Sequence, residues 1–390
     1  MPRFPLYFDY AASTPVDPRV ADIMAQHLTL EGNYANPASR SHMPGWLAEQ
    51  AVEIGRRQVA DTINADPREI IWTSGATEAD NLALIGFMRA NADRGRHLIT
   101  STIEHKAVID TARYLEEEEG VRVTWLQPDT NGCVSPAALK AAITSETALV
   151  SLMAVNNEVG SINDLKALGD IAHAHGAAFH VDGAQAIGHI PLDVSQLPID
   201  MLSLSGHKAY GPKGVGALYI RRDTRVAPLI HGGGHERGYR SGTLPTHQIA
   251  GMGKAFELIN QDFEGEIAHL CDMRQRFLQG LQCLTATHIN GPREGGSPHL
   301  VNLAFEGIDG ETLMMEMKEL AVSTGSACNS ASLTPSFVLT GIGLSAELAL
   351  SSVRFSFGRF TTAEEVDIAT QAIKQAVRKL RPTAHDQHAL

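Results

Sequence analysis

Short apolar runs alternate with amphipathic stretches through the first two thirds of the chain. Seven runs have strand length and composition: Ile70–Thr73, Leu98–Ser101, Val121–Leu126, Leu149–Val155, Phe179–Asp182, Met201–Leu204 and Val215–Ile220. Between several of them, Glu78–Arg89, Lys106–Glu119 and Leu165–His175 carry apolar residues at helical spacing. Parallel strands need a crossover, and a helix is the usual one. The pattern therefore predicts an α/β fold, with a mostly parallel seven-stranded sheet covered by helices.

The rhythm changes after Leu244. A long helical segment is expected from Pro245 to Leu284, broken near Gly265. A strand at Leu300–Phe305, a helix at Glu311–Leu320, a strand at Val353–Phe357 and a last helix at Ala363–Leu380 follow. This reads as a smaller α+β unit. The expected division is a large domain over residues 15–260 and a small one built from 1–14 and 261–390. Glycines cluster at Gly206–Gly216 and at His231–His235, where they mark turns or a close approach of backbone to a ligand.

Composition narrows the functional classes. The 390 residues hold 32 Lys plus Arg against 44 Asp plus Glu, a formal charge of −12, which disfavours bulk attraction to nucleic acid. Hydrophobic content of 43% and charged content of 19% fit an ordinary globular protein. The start has no apolar signal-like run, and no uninterrupted apolar run reaches membrane-spanning length, so a soluble, reduced, cytoplasmic protein is expected, with no membrane partner. The four cysteines, Cys133, Cys271, Cys283 and Cys328, form no C-x-x-C pair and are too sparse for a disulfide scaffold. His173 with His175, and His231 with His235, lack supporting ligands at metal-site spacing, so no intrinsic metal is expected.

Familiar nucleotide motifs fail. Gly206–Gly211 imitates a phosphate loop but is followed by Pro212 where a lysine is needed, and Gly211–Gly216 lacks dinucleotide spacing. Three other features share a theme. Thr73-Ser74-Gly75-Ala76-Thr77-Glu78 follows a buried strand and opens a helix, where free N–H groups attract anions; alone it reads equally as a helix start that binds nothing. Asp182 ends a buried strand and needs a partner; alone it reads as a helix cap. Lys208 sits among small residues after another strand; alone it reads as a surface lysine in a turn. A phosphate cradle, an acid for a pyridine nitrogen and an amine for an aldehyde are together the handles on pyridoxal phosphate.

The chain also resembles the cysteine desulfurases of the housekeeping iron–sulfur and nitrogen-fixation type, within the fold-type I pyridoxal-phosphate transferases. The resemblance runs through Tyr7–Ala12, Asn36–His42, Thr73–Asn81, Glu104–Val108, Val155–Gly160, Ser205–Gly216, His231–Thr243, Ser323–Cys328 and Ser352–Ser356. It implies that Lys208 holds the cofactor and later carries the substrate Cα proton. It implies that Asp182 pairs with the pyridinium nitrogen and that His105 stacks on the ring and serves acid–base steps. Gln185 and Asn157 would bond the ring hydroxyl or the substrate. Ala76, Thr77, Ser205 and His207 would hold the phosphate. Thr243 would reach the phosphate of a neighbouring subunit, which implies a homodimer. Arg354, with Asn36 nearby, would bind the carboxylate of L-cysteine. Cys328 would be the nucleophile that keeps the sulfur as a persulfide, and an iron–sulfur cluster could touch it transiently.

Cys328 lies among small polar residues, a composition that favours an exposed loop, and the long segment to Ser345 fits the long-loop class. Cys133, Cys271 and Cys283 read as structural or incidental. Relatives often continue past the last helix with a tail that docks a cluster scaffold, and this chain stops soon after Leu380. The expected sulfur acceptor is therefore a protein of open identity, serving cluster assembly, tRNA thiolation or DNA phosphorothioation, with no direct contact to nucleic acid. A selenocysteine lyase or another enzyme of the same fold is the alternative.

Overall fold

A computed structural model describes residues 5–324 and 334–381. The strands are β1 (Leu6–Tyr7), β2 (Ile70–Thr73), β3 (His97–Ser101), β4 (Arg122–Leu126), β5 (Thr147–Met153), β6 (Ala178–Asp182), β7 (Met201–Ser205), β8 (Gly216–Ile220), β9 (Thr287–Asn290), β10 (Leu300–Phe305), β11 (Leu320–Ala321) and β12 (Ser352–Ser356). The helices are α1 (Pro18–Ala25), α2 (Met43–Thr62), α3 (Ala76–Ala90), α4 (Lys106–Glu119), α5 (Pro136–Ala142), α6 (Leu165–Ala174), α7 (Thr246–Gln261), α8 (Phe263–Leu281), α9 (Gly310–Glu316), α10 (Phe337–Gly341), α11 (Ala346–Leu350) and α12 (Ala363–Leu380).

β2 to β8 form one seven-stranded sheet in the order β2-β8-β7-β6-β5-β3-β4. β8 runs antiparallel to both of its neighbours, and the remaining pairs are parallel. Every residue of β5, β6 and β7 is buried, as a sheet covered on both faces requires. From β3 the chain steps outward to β4, then returns on the other side of β3 as β5. Ligands of open α/β sheets sit where the order reverses, beyond the carboxyl ends of the strands. The segments leaving β3, β5, β6 and β7 carry His105, Asn157, Asp182 and Lys208 to that edge.

A second apolar cluster belongs to the other part of the chain. Phe8 packs there with Phe277, Phe305, Phe355, Phe357 and Ile373. β9, β10 and β12 make a three-stranded antiparallel sheet, and β1 pairs in parallel with β11. The N-terminal segment is thereby sewn to the C-terminal one. Arg359 fastens this part to the seven-stranded one. It pairs with Asp17 at 2.8 Å and Glu266 at 2.7 Å, and its guanidinium lies 4.2 Å from the centre of the Tyr210 ring, two residues past Lys208.

The structure departs from the expected elements in a few places. The long helical segment breaks at Asp262, and Gly265 lies inside α8, because Asp262 leaves helical backbone (φ −145°, ψ 40°) while Gly265 is accommodated one turn on. The expected helix at Glu311–Leu320 ends at Glu316, with β11 starting at Leu320. α2, unforeseen, is a 20-residue helix started by Pro44 and by His42 Nδ1, which accepts from Gly45 N–H.

α2 is anchored by a buried ion pair. Arg56 donates to both carboxylate oxygens of Glu236, at 2.7 and 2.8 Å, and to the Ile70 carbonyl at 2.8 Å. Glu236 also accepts from Trp72 N–H at 2.8 Å. The contact ties α2, β2 and the turn before Thr243 together. Glu236→Gln leaves a buried guanidinium without its counter-charge and should lower unfolding stability by about 3–5 kcal/mol. Urea denaturation measures this, and a loss no larger than that of a surface substitution would contradict it.

Candidate active site

The site is built from the strand ends inward. α3 begins at Ala76 directly after β2, and its N-cap, Gly75, offers no side-chain hydrogen bond. The first N–H groups of α3 are therefore left for another acceptor, and the helix dipole favours an anion there. The loop is tight from below: a Cβ on Gly216 would stand 2.6 Å from the Gly75 Cα. Thr77 is exposed at the same helix start. Ser205 ends β7, and its hydroxyl is buried without a hydrogen-bond partner. His207 is half-buried, with Nδ1 3.2 Å from the Ser13 hydroxyl; burial, with Lys208 and Lys213 adding to it, pushes its pKa down to about 4.

Asp182 ends β6 and is buried, with Oδ1 accepting from Ala184 N–H at 2.9 Å. Burial raises its pKa, while His105, the Ala184 N–H and Lys208 oppose the rise. Lys208 closes the short turn after β7. Its ammonium donates to the Ala11 carbonyl at 2.5 Å and the Ala12 carbonyl at 3.0 Å. His105 caps α4, and its Nδ1 accepts from Ala107 N–H at 3.1 Å. A neutral imidazole accepting at Nδ1 carries its proton on Nε2, so this ring is poised as a donor at Nε2.

Arg354, on β12, is 3% exposed. It donates to the Asn157 carbonyl at 2.7 Å and to Asp9 Oδ1 at 2.7 Å, and its Nε is buried without a partner. A buried guanidinium with donors to spare suits a carboxylate. The Gln185 amide is engaged at both ends, donating to the Ala11 carbonyl at 2.8 Å and facing His299 Nε2 at 3.2 Å. Asn36 is exposed, its Oδ1 accepts from Ala38 N–H in a local turn, and the hydrogen bonds of Arg354 go elsewhere. Thr243 is exposed and lines a cavity of about 220 Å³ with Thr73, Ser74 and Arg240 of its own chain.

Cys328 lies outside the described residues. The described residues on either side of that segment attach beside Arg354. Ser323 accepts from Arg354 N–H at 2.7 Å, and the Ser336 hydroxyl donates to Glu158 at 2.6 Å. Among the described residues no three His, Cys, Asp or Glu side chains gather as a metal site. No helix among them is long and apolar enough to cross a membrane.

Sequence reasoning missed Asp9, the ion-pair partner of Arg354, and Glu158, buried next to Asn157. It also missed the buried Asp80, Glu104 and His180 beneath Asp182. Asp9, Asp80 and Glu104 each stand inside a motif already singled out, yet nothing in their spacing shows which neighbours they meet.

An anion cradle, a buried acid and a lysine amine converging on one edge are the combined requirement of pyridoxal phosphate, and the site defines an enzyme of that cofactor class. The orphaned Ser205 hydroxyl and the uncapped start of α3 are unmet polar groups that a phosphate would satisfy, so the residues present fit the group. Comparison with known proteins agrees. The family model for class-V aminotransferases matches residues 6–368. A cysteine desulfurase IscS of Pseudomonas entomophila (strain L48) is 57% identical over 381 residues, 97% of this chain and 94% of that one. The solved structure of a NifS-like protein superimposes with a TM-score of 0.90 at 35% identity, covering 96% of this chain and 100% of that one. The structure of SspA in complex with cysteine gives a TM-score of 0.81 at 38% identity, covering 91% and 99%. The chain belongs to the class-V aminotransferase family, among its cysteine desulfurases, and pyridoxal phosphate is its cofactor.

Ser205→Ala removes the unpartnered hydroxyl that a phosphate there would satisfy. A hydrogen bond to a charged group contributes about 1.5–3 kcal/mol, so affinity for pyridoxal phosphate should fall about ten- to hundredfold. Absorbance titration of apoprotein reads this; unchanged affinity would contradict the placement.

Proposed function

We propose that the protein converts L-cysteine to L-alanine and holds the released sulfur on Cys328 for delivery to an acceptor protein. The observation that carries this reading is the pairing of a buried, incompletely satisfied guanidinium, Arg354, with an amine, Lys208, and an acid, Asp182, at one sheet edge. The relationship to cysteine desulfurases supplies the chemistry.

When bound, pyridoxal phosphate stabilises negative charge at the substrate Cα. The chain's own residues do the rest. Ala76, Thr77, Ser205 and His207 hold the phosphate at the start of α3 and the end of β7. Asp182 holds the ring nitrogen in its protonated form. Arg354 takes the substrate carboxylate, while Asn157 fixes the guanidinium through its carbonyl. Lys208 Nζ moves the proton between Cα and Cβ; the Ala11 and Ala12 carbonyls orient the amine when it is not bonded. His105, whose Nδ1 accepts from Ala107 N–H, turns Nε2 to the substrate or the ring. The Cys328 thiolate attacks the substrate sulfur. The carbon–sulfur bond breaks with its electron pair going to carbon, which takes a proton, and a sulfur–sulfur bond forms on Cys328.

The working form we propose is a homodimer of two-part subunits, with residues 15–260 as one part and the two chain ends as the other. Leu28, Leu30, Trp46, Leu47 and Ile54 are large apolar side chains left 46–79% exposed on the segment from α1 to α2, which supports burial against a second copy. Thr243 then reaches the partner's phosphate. The sulfur acceptor is a protein partner, and cluster assembly is the pathway that the name of the 57% identical relative favours.

Cys328→Ser should abolish sulfide and alanine formation while leaving the cofactor's visible absorbance intact. Turnover at the wild-type rate would sink the nucleophile assignment and leave the rest of the site standing. Leu47→Glu places a charge on the exposed apolar face; analytical ultracentrifugation should show the wild-type chain as a dimer and this variant as mostly monomer. A monomeric wild type would contradict the dimer.

A further inference from the structure

The imidazoles of His189 and His299 are both buried and stack face to face, with ring centres 3.6 Å apart and planes 7° apart. They come from distant segments. His189 lies in the turns after β6, which also carry Gln185, and His299 directly precedes β10. The backbone around His299 is pinned. Its carbonyl accepts from Phe357 N–H at 2.7 Å, and Ser297 N–H donates to the Gly160 carbonyl at 2.8 Å. The reaction as described uses neither histidine.

The hydrogen bonds around this pair run in one consistent direction. A carbonyl oxygen can only accept, so the amide nitrogen of Gln185 must be the end that faces the Ala11 carbonyl, at 2.8 Å. That turns Gln185 Oε1 toward His299 Nε2, at 3.2 Å, and Nε2 must carry a proton to donate. His299 Nδ1 lies 2.6 Å from the Ser297 hydroxyl, which donates to it in the neutral ring. Burial pushes the His299 pKa well below its ordinary value, with His189, Arg354 and Lys208 adding to the effect. His189 Nδ1 donates to the Gln185 carbonyl at 2.9 Å, so Gln185 is held by its backbone as well as its amide. The row ends at the Ala11 carbonyl, which also accepts from Lys208 Nζ at 2.5 Å. Packing alone does not ask for these groups. An apolar ring in place of His299 could still stack on His189, but it would leave Gln185 Oε1 buried without a donor. An amide released in this way can turn over, and its oxygen would then oppose the oxygen of Ala11.

We infer that His299 is a positioning residue: its Nε2–H fixes the face of the Gln185 amide, which holds the Ala11 carbonyl where that carbonyl directs the Lys208 amine. The segment before β10 thereby steers an amine carried at the end of β7. Ser297 selects the ring tautomer, and the stack on His189 keeps the ring from tilting. The proposal rests on Lys208 being the amine that takes the cofactor's aldehyde.

The test uses the full-length chain and two variants. His299→Phe keeps a ring against His189 without the donor, and His299→Gln restores an N–H near the position of Nε2. Cofactor-free protein is mixed with pyridoxal phosphate, and the absorbance change is followed as the amine condenses with the aldehyde and water leaves. His299→Phe should capture the aldehyde about tenfold more slowly, and His299→Gln should stay within about twofold of the wild type. Affinity for 4-deoxypyridoxine phosphate, which has no aldehyde, should be the same in all three. Nitrogen NMR of histidine-labelled holoenzyme, with the His299 signal assigned by its loss in His299→Gln, should show the proton on Nε2 and none on Nδ1. The inference is overturned if Nδ1 carries the proton, if His299→Gln is as slow as His299→Phe, if His299→Phe matches the wild type, or if deoxypyridoxine phosphate affinity falls along with the capture rate. Should His299→Phe fail to fold, the nitrogen spectrum and the His299→Gln rate decide. Capture of the aldehyde by Lys208→Ala at the wild-type rate would sink the assignment of Lys208 instead, and the nitrogen spectrum would still report the contact of His299 with Gln185.

Discussion

A carboxylate buried at the end of a central strand has to be answered by positive charge. Asp182 is such a group: it is buried, one backbone N–H bonds it, and His105 and Lys208 only partly oppose the effect of burial. A cationic ring nitrogen would answer it. In the proposed site the start of α3 would hold the phosphate, Lys208 would take the aldehyde, and His105 would meet the ring. Strand order puts the four supporting segments on one edge, so the fold delivers the chemistry through topology more than through any one motif.

The second constraint is the carboxylate end. Arg354 is buried and pairs with Asp9, a residue from the opposite end of the chain. The pairing joins β12, the loop after β5 and the N-terminal segment at one guanidinium. The same segment supplies Ala11 and Ala12, whose carbonyls receive the Lys208 amine. Tyr7 to Ala12 therefore touches Lys208 and Arg354 together, and β1 pairs it with β11, just ahead of the segment that carries Cys328. The stretch is held both by packing, since Phe8 is buried in the second apolar cluster, and by the hydrogen bonds and charge of Asp9, Ala11 and Ala12.

Much of this was legible in the residues. The seven strands were readable because each is a short apolar run between turn residues, and Ala363–Leu380 because it carries a Thr362–Glu365 capping box and a clear apolar face. Lys208, Asp182 and His105 were readable because chemistry-bearing residues follow buried strands. The break expected near Gly265 falls at Asp262, where an aspartate and not the glycine leaves the helical backbone. Asp9, Asp80 and Glu104 were illegible as a set. Their meaning depends on which residues 49 to 345 positions away they face, and no local pattern encodes that. Asn36 and Gln185 show the converse. Their residue types fit the expected roles, while in the structure their polar atoms are engaged by Ala38, Ala11 and His299.

The central claim is that sulfur leaves the substrate by bonding to one cysteine. It is tested most directly by mass analysis of the peptide bearing Cys328 after a single turnover with isotopically labelled L-cysteine under non-reducing conditions. The account predicts one labelled sulfur on Cys328, removable by added thiol, with an equal amount of alanine formed and no label on Cys133, Cys271 or Cys283. Alanine formed with sulfide released directly and no label on Cys328 would contradict it.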